Sequence, residues 1–409
     1  MSFAYRAGTL CAEGVALDDI ARRFGTPCYV YSRAAIESAY GEFAQALGGR
    51  DGLICYSVKA NSNLALLALL ARLGAGFDIV SGGELQRVLA AGGDAQKTLF
   101  SGVGKSEAEI AAALEAGIYC LNLESEAELA RVSAAAERLR VRAPIAFRVN
   151  PDIDAKTHRY ISTGLREDKF GIAHADAERL YASAAASPHI EVRGIGCHIG
   201  SQITATAPFR AAAERIARLA DRLAAAGIRL QHIDLGGGMG IRYRDEAPPA
   251  PREFVADALE ALGSRGERLI FDPGRVLVGN AGVLLTAVEY MKPGFVVIDA
   301  AMNDLLRPAL YGAWHDIKPV KQAKGAEALY DIVGPVCESG DFLAKERRIA
   351  AQQGDLLAVM SAGAYGMSMS SNYNSRPRAA EVLVSGTQAE LVRRRESAEE
   401  LFALERIPG

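Results

Sequence analysis

The sequence predicts an α/β fold, a (β/α)8 TIM-type barrel followed by a mainly antiparallel β domain. Short apolar runs rich in β-forming residues alternate with alanine- and leucine-rich segments as far as about Arg275, and this alternation ends beyond Gly279. Strands that alternate with helices indicate a parallel sheet. Eight such units fit a closed barrel, whereas the alternative, a doubly wound open sheet, needs fewer strands.

The barrel elements follow from two periodicities. The predicted strands are Leu53–Val58, Phe77–Val80, Thr98–Phe100, Ile118–Leu121, Ile145–Val149, Gly194–Ile199, His232–Leu235 and Leu269–Asp272. A 3.6-residue period predicts helices at Leu64–Leu73, Ser106–Ala116, Glu124–Arg140, Pro208–Ala226 and Arg252–Leu262. A further helix, Ala34–Leu47, precedes the first strand, and we expect it to close the ring.

The part of the chain beyond Gly279 is predicted to form strands with long loops. These strands are Val283–Tyr290, Phe295–Asp299, Tyr330–Val333, Leu356–Met360 and Ala380–Val384, followed by a last helix near Gln388–Leu404. We therefore expect residues 1–30 to form an N-terminal segment that joins the β domain, residues 31–278 to form a cofactor-binding barrel, and residues 279–409 to form the β domain.

Composition limits the classes of function. The 409 residues include 46 Lys+Arg and 49 Asp+Glu, which gives a net charge of −3. This balance shows no excess of basic residues of the kind that binds nucleic acid or an anionic membrane. The six cysteines show no C-x-x-C pair and no metal-ligand spacing with the six histidines, so we expect no metal site and reduced thiols. No apolar run approaches the ~20 residues of a spanning helix, and no signal-peptide core is present near the start. We expect a cytoplasmic protein.

Six of the predicted strands carry polar or glycine residues toward their carboxyl ends or directly after them, where barrel active sites form. They are Lys59, Asp78, Arg148, His198 with Ser201, Gly236–Gly238, and Asp272 with Gly274 and Arg275. Each has a plain structural interpretation when taken singly: Asp78 and Arg148 can form a structural ion pair, and His198 can be a core histidine. Because all of them fall at the same end of separate strands, their convergence favours a functional site.

The glycine run predicts a phosphate site. Three successive glycines, Gly236–Gly238, let backbone N–H groups approach a phosphate that side chains would block. Ser201 and the turn at Gly274 can add hydrogen-bond donors. A phosphorylated cofactor is therefore expected at the barrel mouth.

The other strand ends predict that this cofactor is an aldehyde. Lys59 ends an apolar strand with an amine that can form a Schiff base. Asp272 can hold a pyridine nitrogen protonated, which makes the ring an electron sink. The flat imidazole of His198 can cover one face of the ring. Together these residues predict pyridoxal 5'-phosphate.

Nine stretches of the chain, in order, resemble the diaminopimelate decarboxylase family. They are YSVKAN (Tyr56–Asn61), FDIVSGGEL (Phe77–Leu85), FRVNPDIDAKTHRYISTGLREDKFGI (Phe147–Ile172), CHIGSQI (Cys197–Ile203), DLGGGMGI (Asp234–Ile241), DPGR (Asp272–Arg275), MNDLLRPALYGAWH (Met302–His315), GPVCESGDFLA (Gly334–Ala344) and SAGAYGMSMSSNYNSRPR (Ser361–Arg378). This is a pyridoxal-phosphate family of the alanine-racemase-like fold group, and its members make L-lysine. YSVKAN and the triple glycine are shared by the wider fold group, whereas NDLLRPALYGAWH and PVCESGDFLA are much more specific to the diaminopimelate decarboxylase family.

The resemblance implies roles for individual residues. Lys59, His198 and Cys337 would be catalytic, and Cys337 would enter from the partner subunit of a homodimer with shared active sites. The cofactor would be held by Lys59, Asp78, Arg148, His198, Ser201, Gly236, Gly237, Gly238, Asp272, Gly274, Arg275 and Tyr365. The substrate, meso-diaminopimelate, would be bound by Arg275, Arg307, Tyr311, Glu338 and Tyr365, with Glu338 on the distal amino group. A domain-interface ion pair is the alternative interpretation of Arg307.

One residue departs from the family pattern, and two other functions remain open. The family usually has glutamate where this chain has Asp272, so a looser contact to the pyridine nitrogen is expected. A same-fold decarboxylase that acts on ornithine, lysine or arginine is the alternative enzyme. A cofactor-carrying homeostasis protein is the alternative from another class, but such proteins are barrels without a C-terminal β domain.

Overall fold

The computed structural model describes residues 2–153, 169–322 and 325–409. The chain forms two compact units. A barrel unit comprises Tyr40–Ile241 and Ala247–Val276, and a β unit comprises Met1–Ala39, Arg242–Glu246 and Leu277–Gly409. The segment Arg242–Glu246 therefore belongs to the β unit, although the barrel surrounds it in the sequence.

Within the described residues, eight parallel strands form the barrel. They are Gly52–Ser57, Gly76–Ile79, Thr98–Phe100, Cys120–Leu123, Ala143–Asn150, Ile190–Gly196, His232–Asp234 and Arg268–Phe271. Each strand pairs with the next along the chain, and the last pairs with the first through Leu269 opposite Gly52. The sheet is closed, so the predicted (β/α)8 barrel is confirmed and the open-sheet alternative is excluded. A short strand, Ile172–Ala173, pairs with the fifth strand.

Helices connect these strands. They are Leu64–Arg72, Gly82–Ala90, Glu107–Glu115, Glu126–Leu139, Ala177–Ala186, Ala207–Ala225 and Pro251–Leu262, with Arg33–Ala46 before the first strand and Arg275–Val278 after the last. Four of them begin after a side chain that accepts a backbone N–H of the first turn, namely Asn63, Ser81, Ser106 and Ser125. Such caps satisfy donors that have no partner within the helix, and they define where each helix starts.

The β unit contains two sheets. Phe3–Arg6, Thr9–Ala12 and Val15–Ala16 form a three-stranded sheet. The larger sheet contains Cys28–Ser32, Gly282–Lys292, Phe295–Ile298, Ile317–Pro319, Ala328–Val333, Phe342–Ile349, Leu356–Val359, Ala380–Ser385 and Gln388–Arg393. Its pairings are antiparallel except for two parallel pairs, which join Cys28–Ser32 to Ala380–Ser385 and Phe295–Ile298 to Ala328–Val333. The predicted, mainly antiparallel β domain is confirmed.

Short helical segments complete the two units. The β unit has α-helices at Leu17–Phe24, Arg307–Tyr311 and Ala398–Leu401. Single 3-10 turns lie at Val58–Ala60, Ala95–Lys97, His174–Asp176, Gly279–Ala281, Met367–Met369 and Tyr373–Ser375. Among the residues that the structure describes, no helix combines the length and the apolar character needed to cross a membrane.

The prediction of a last helix near Gln388–Leu404 is wrong for most of its length. Gln388–Arg393 is a strand that pairs antiparallel with Ala380–Ser385, and the helix is confined to Ala398–Leu401. Gly386, at φ 59°, lies in the two-residue loop of this hairpin. Glycine followed by a polar residue is a hairpin signal, and here it outweighs the helix propensity of the residues that follow.

Candidate active site

A cavity of about 320 Å³ lies at the carboxyl ends of the barrel strands. Five residues predicted from the sequence line it, namely Lys59, Asp78, Arg148, His198 and Asp272. Other lining residues include Ser101, Asn122, Phe170 and Asp234. The predicted convergence of strand ends is therefore observed within the barrel unit.

Lys59 lies directly after the first barrel strand and forms an ion pair. Its Nζ is 3.1 Å from Oδ2 of Asp78, whose side chain is only 1% exposed. The hydroxyl of Ser101 donates a hydrogen bond to the other oxygen of Asp78 at 2.6 Å. Burial opposes ionisation of Asp78, but Lys59 and the Ser101 hydrogen bond outweigh it and lower the pKa of the carboxyl. An ionised Asp78 thus holds the lysine amine at the cavity.

The glycine loop makes close contacts that other residues do not allow. Gly236 and Gly238 have φ angles of 74° and 88°. A Cβ at Gly238 would lie 2.1 Å from the carbonyl oxygen of Gly200, and one at Gly237 would lie 2.3 Å from that of Asp272. Only glycine fits such approaches, so this loop packs its backbone directly on the ends of the two neighbouring strands.

The segments beside the glycine loop supply hydrogen-bond donors. Nη2 of the buried Arg275 donates to Oγ of Ser201 at 2.9 Å. Gly274 lies against Ser57 and Ala60, where a Cβ would be 3.0 Å from either side chain. Arg275, Ser201 and the Gly274 turn are thus brought together, in agreement with a site for an anionic group.

Asp272 has a buried acceptor oxygen without a partner. Its Oδ1 makes no hydrogen bond among the described residues and lies 3.5 Å from Nδ1 of His198. The backbone N–H of Gly237 donates to the same Nδ1 at 3.3 Å. In this arrangement Nδ1 carries a lone pair and no proton, so the contact between His198 and Asp272 is not a charge pair. An unsatisfied buried oxygen is costly unless a donor completes it.

Arg148 is paired with a residue that sequence reasoning missed. Its Nη1 lies 3.4 Å from Oε1 of Glu124, and its Nη2 donates to the carbonyl oxygen of His198 at 3.3 Å. Glu124 also accepts the backbone N–H groups of Gly102 and Gly171. The alternative of an Asp78–Arg148 ion pair is therefore wrong, since Asp78 pairs with Lys59 and Arg148 pairs with Glu124.

Three further polar residues were missed at the ends of the third, fourth and seventh strands. Ser101 follows the third strand, and Asn122 lies in the fourth strand, whose predicted end at Leu121 was too early. Asn122 Nδ2 donates to Ser101 Oγ at 3.1 Å and lies 3.5 Å from Oδ2 of Asp234. Burial and the neighbouring Asp272 raise the pKa of the Asp234 carboxyl. The signal was the same as elsewhere, a polar residue at the carboxyl end of a strand.

The remaining predicted residues lie in the β unit. Arg307 is buried and begins the short helix that ends at Tyr311. Oε2 of Glu338 accepts a hydrogen bond from the Tyr373 hydroxyl at 3.4 Å, and Tyr365 has a positive φ of 57°. Cys337 is exposed, whereas the other five cysteines, all within the described residues, are buried. The roles of these β-unit residues stay predictions.

No cluster of three or more His, Cys, Asp or Glu that could hold a metal ion occurs in the described part of the chain. The site instead combines an amine, a buried carboxylate and a glycine cradle. A family model described as "Pyridoxal-dependent decarboxylase, pyridoxal binding domain" matches residues 33–279. Fold, site and match define a pyridoxal-dependent decarboxylase domain.

Relatives and solved structures narrow the class. A Pseudomonas fluorescens protein named diaminopimelate decarboxylase is 60% identical over 411 residues, which cover 99% of each chain. A Vibrio cholerae protein of the same name is 56% identical over 405 residues, covering 98% of this chain and 97% of that one. The chain belongs to the diaminopimelate decarboxylase family.

Solved structures agree with this assignment. The Helicobacter pylori diaminopimelate decarboxylase complexed with L-lysine superposes with a TM-score of 0.93 at 42% identity, covering 95% of this chain and 99% of that one. The M. jannaschii enzyme in co-complex with L-lysine gives a TM-score of 0.95 at 36% identity, covering 100% and 98%. Both matches span the barrel and the β unit.

Proposed function

We propose that this chain is a pyridoxal-phosphate-dependent carboxy-lyase that converts meso-2,6-diaminopimelate to L-lysine and CO2, the last step of lysine biosynthesis. The observation that carries the proposal is the amine of Lys59, held by the ionised Asp78 at a cavity in the mouth of the barrel. The name shared by relatives of 50–60% identity supports the choice of substrate.

The residues present fit the cofactor. Lys59 would hold its aldehyde carbon, and the glycine loop Gly236–Gly238 with Ser201 would hold its phosphate. The unpartnered buried oxygen of Asp272 would accept a hydrogen bond from the pyridine N–H. When bound, pyridoxal phosphate supplies an electron-withdrawing ring that accepts the electron pair left when CO2 departs.

Two residues of the chain handle protons near the reacting carbon. As an ammonium paired with Asp78, Lys59 must give up a proton before its amine can act as a nucleophile, and Asp78 lies 3.1 Å away to orient it. After CO2 has left, an acid returns a proton to the same carbon. Lys59 and Cys337 are the two candidates for that acid.

Selectivity is assigned to the distal end of the substrate, which carries a carboxylate and an ammonium. Arg275, Arg307 and Tyr311 would bind the carboxylate, and Glu338 with Tyr365 would complete the substrate site. A guanidinium binds a carboxylate through two parallel hydrogen bonds. Lysine or ornithine, as substrates, lack the distal carboxylate and would leave buried Arg307 without it, at a cost of about 1–3 kcal/mol.

The proposal includes a cytoplasmic homodimer with shared active sites. Cys337 of one subunit would act at the cavity of the other, and its exposure supports this role, since the buried thiols are excluded from reaching another chain. The free state of all six cysteines agrees with a reducing compartment.

An absorbance spectrum with parallel CO2 measurement tests the proposal. The wild-type holoenzyme should show a visible band of lysine-bound cofactor, and it should release CO2 from meso-diaminopimelate but not from lysine or ornithine. Lys59→Ala should lose the band and the activity, while Lys321→Ala, at an exposed lysine of the β unit, should keep both. A visible band without CO2 release from meso-diaminopimelate would favour the alternative substrates ornithine, lysine or arginine. No band at all would refute the cofactor site.

A further inference from the structure

The guanidinium of Arg307 is confined by two aromatic rings. Its Cζ lies 4.5 Å from the centroid of the Tyr243 ring, and its Nη1 lies 2.7 Å from Nε2 of His315. The rings of Tyr243 and His315 also contact each other edge to face, with centroids 5.2 Å apart and planes at 76°. All three residues belong to the β unit.

The hydrogen bonds of His315 define its tautomer. Its Nδ1 lies 2.8 Å from the carbonyl oxygen of Met360, which can only accept, so Nδ1 must carry a proton. Arg307 can only donate, so Nε2 must present a lone pair to Nη1. The imidazole is therefore neutral. It is also fully buried, and its orientation is set by the backbone at Met360.

We infer that His315 is a positioning residue for substrate specificity: it orients Arg307 to receive the distal carboxylate of the substrate. The hydrogen bond to Nε2 sets the rotation of the guanidinium plane, and the Tyr243 ring sets its tilt. A pre-oriented guanidinium loses less conformational entropy when it binds a carboxylate. The inference rests on the proposed function, in which Arg307 binds that carboxylate.

Two amide variants separate the two hydrogen bonds of the imidazole, because each can replace one of the two ring nitrogens. In His315→Asn the amide nitrogen can keep the bond to Met360, but no acceptor remains for Arg307. In His315→Gln the amide oxygen can reach the position of Nε2 and restore that acceptor. If His315→Asn weakens the binding of L-lysine and His315→Gln restores it, the effect comes from the orientation of Arg307 rather than from packing.

The measurement is equilibrium binding to the holoenzyme, followed through the cofactor absorbance. Bound as the product, with its side-chain amine at the cofactor, L-lysine keeps the distal carboxylate that Arg307 would bind, whereas 1,5-diaminopentane has the same two amines and no carboxylate. His315→Asn should raise the Kd of L-lysine about tenfold and change that of 1,5-diaminopentane less than about twofold. His315→Gln should recover most of the affinity for L-lysine, and the absorbance without ligand should be unchanged in both variants.

Arg307→Ala separates failure of the inference from failure of the proposed function. If Arg307→Ala weakens L-lysine binding but His315→Asn does not, or if His315→Asn weakens both ligands equally, the inference is overturned and the proposed function stands. If the wild type releases no CO2 from meso-diaminopimelate, the proposed function itself has failed. Should His315→Asn not fold, Tyr243→Leu removes the ring beside the guanidinium. Tyr243→Leu should weaken the binding of L-lysine more than that of 1,5-diaminopentane. An equal loss of affinity for both ligands would overturn the inference.

Discussion

At the scale of single residues, the site depends on how each buried charge is satisfied. Asp78 has Lys59 and Ser101 as partners and is ionised, whereas Oδ1 of Asp272 has no partner among the described residues. The difference separates their proposed roles. Asp78 orients the amine of Lys59, whereas Asp272 would accept a hydrogen bond from the cofactor.

Asp272 gives the first prediction. Its carboxylate is one methylene shorter than the glutamate usual in the family, so we expect a looser contact to the pyridine nitrogen. Asp272→Glu should raise kcat about twofold to tenfold, because a closer carboxylate would hold the ring nitrogen protonated more completely. Steady-state CO2 release from meso-diaminopimelate measures the effect.

The control for this prediction keeps the shape and removes the charge. Asp272→Asn should lower kcat by about a hundredfold or more while the cofactor still binds, because an amide cannot support a protonated ring nitrogen. If kcat is the same in the wild type and Asp272→Glu, the shorter side chain imposes no limit on the rate.

At the scale of elements, strand ends and turns position the site. Each barrel strand contributes at least one cavity-lining residue at or shortly after its carboxyl end, and the glycine loop after the seventh strand packs backbone against backbone. The third and fourth strands contribute through Ser101, Asn122 and Glu124, which orient Asp78 and Arg148. These supporting residues act on the site through the residues that were predicted.

The glycine loop gives the second prediction. Gly238→Ala places a Cβ 2.1 Å from the Gly200 carbonyl oxygen at a φ of +88°, so the loop must move away from the end of the sixth strand. Cofactor affinity should fall about tenfold or more, measured by titration of the apoprotein with pyridoxal phosphate. Gly266→Ala, at a glycine with open space around it, should bind the cofactor like the wild type. Equal affinity in both variants would exclude the loop from phosphate binding.

At the scale of the whole molecule, chain order and spatial order differ. Cys28–Ser32 precedes the barrel in sequence but lies inside the sheet of the β unit, between Gly282–Lys292 and Ala380–Ser385. Tyr29 in this strand donates a hydrogen bond from its hydroxyl to the carbonyl oxygen of Asp304 at 2.7 Å. The β unit is therefore assembled from both ends of the described chain.

The stability of the molecule gives the third prediction, through Asp304. Burial raises the pKa of Asp304 to about 6 from its ordinary 3.8, although the N–H of Ala301 partly offsets the effect. The native state then binds this proton more tightly than the unfolded state. The contribution of the protonated Asp304 to the free energy of unfolding is full below pH 3.8. It is lost as the pH rises through 6, by up to about 3 kcal/mol.

Urea unfolding of the wild type and Asp304→Asn between pH 4 and 7 measures this contribution. The asparagine can still accept the Ala301 N–H but does not ionise, so the variant should gain stability relative to the wild type as the pH rises through about 6. Parallel curves of midpoint against pH would show that Asp304 has an ordinary pKa.

Much of the fold and of the candidate site was accessible from the sequence because its signals are local. The 3.6-residue period of Leu64–Arg72 predicts a helix and the apolar run of Gly52–Ser57 predicts a strand. Lys59 comes shortly after that strand. Barrel topology then brings together side chains from separate strand ends. Lys59, Asp78 and Asp272 could be predicted to meet without any coordinates.

The tertiary structure alone decided which partner each of these groups has. The sequence does not show that Arg148 pairs with Glu124 rather than Asp78, or that His315 presents a lone pair to Arg307, because both outcomes depend on distances and orientations that exist only in the folded chain. Gln388–Arg393 is a strand for a more local reason, since the turn at Gly386 lets it pair with Ala380–Ser385 and this pairing outweighs its helix propensity. The sequence by itself determined which chemical groups stand at the barrel mouth. Long-range packing decided the protonation, orientation and pairing of each, because burial and neighbouring charges are properties of the folded chain.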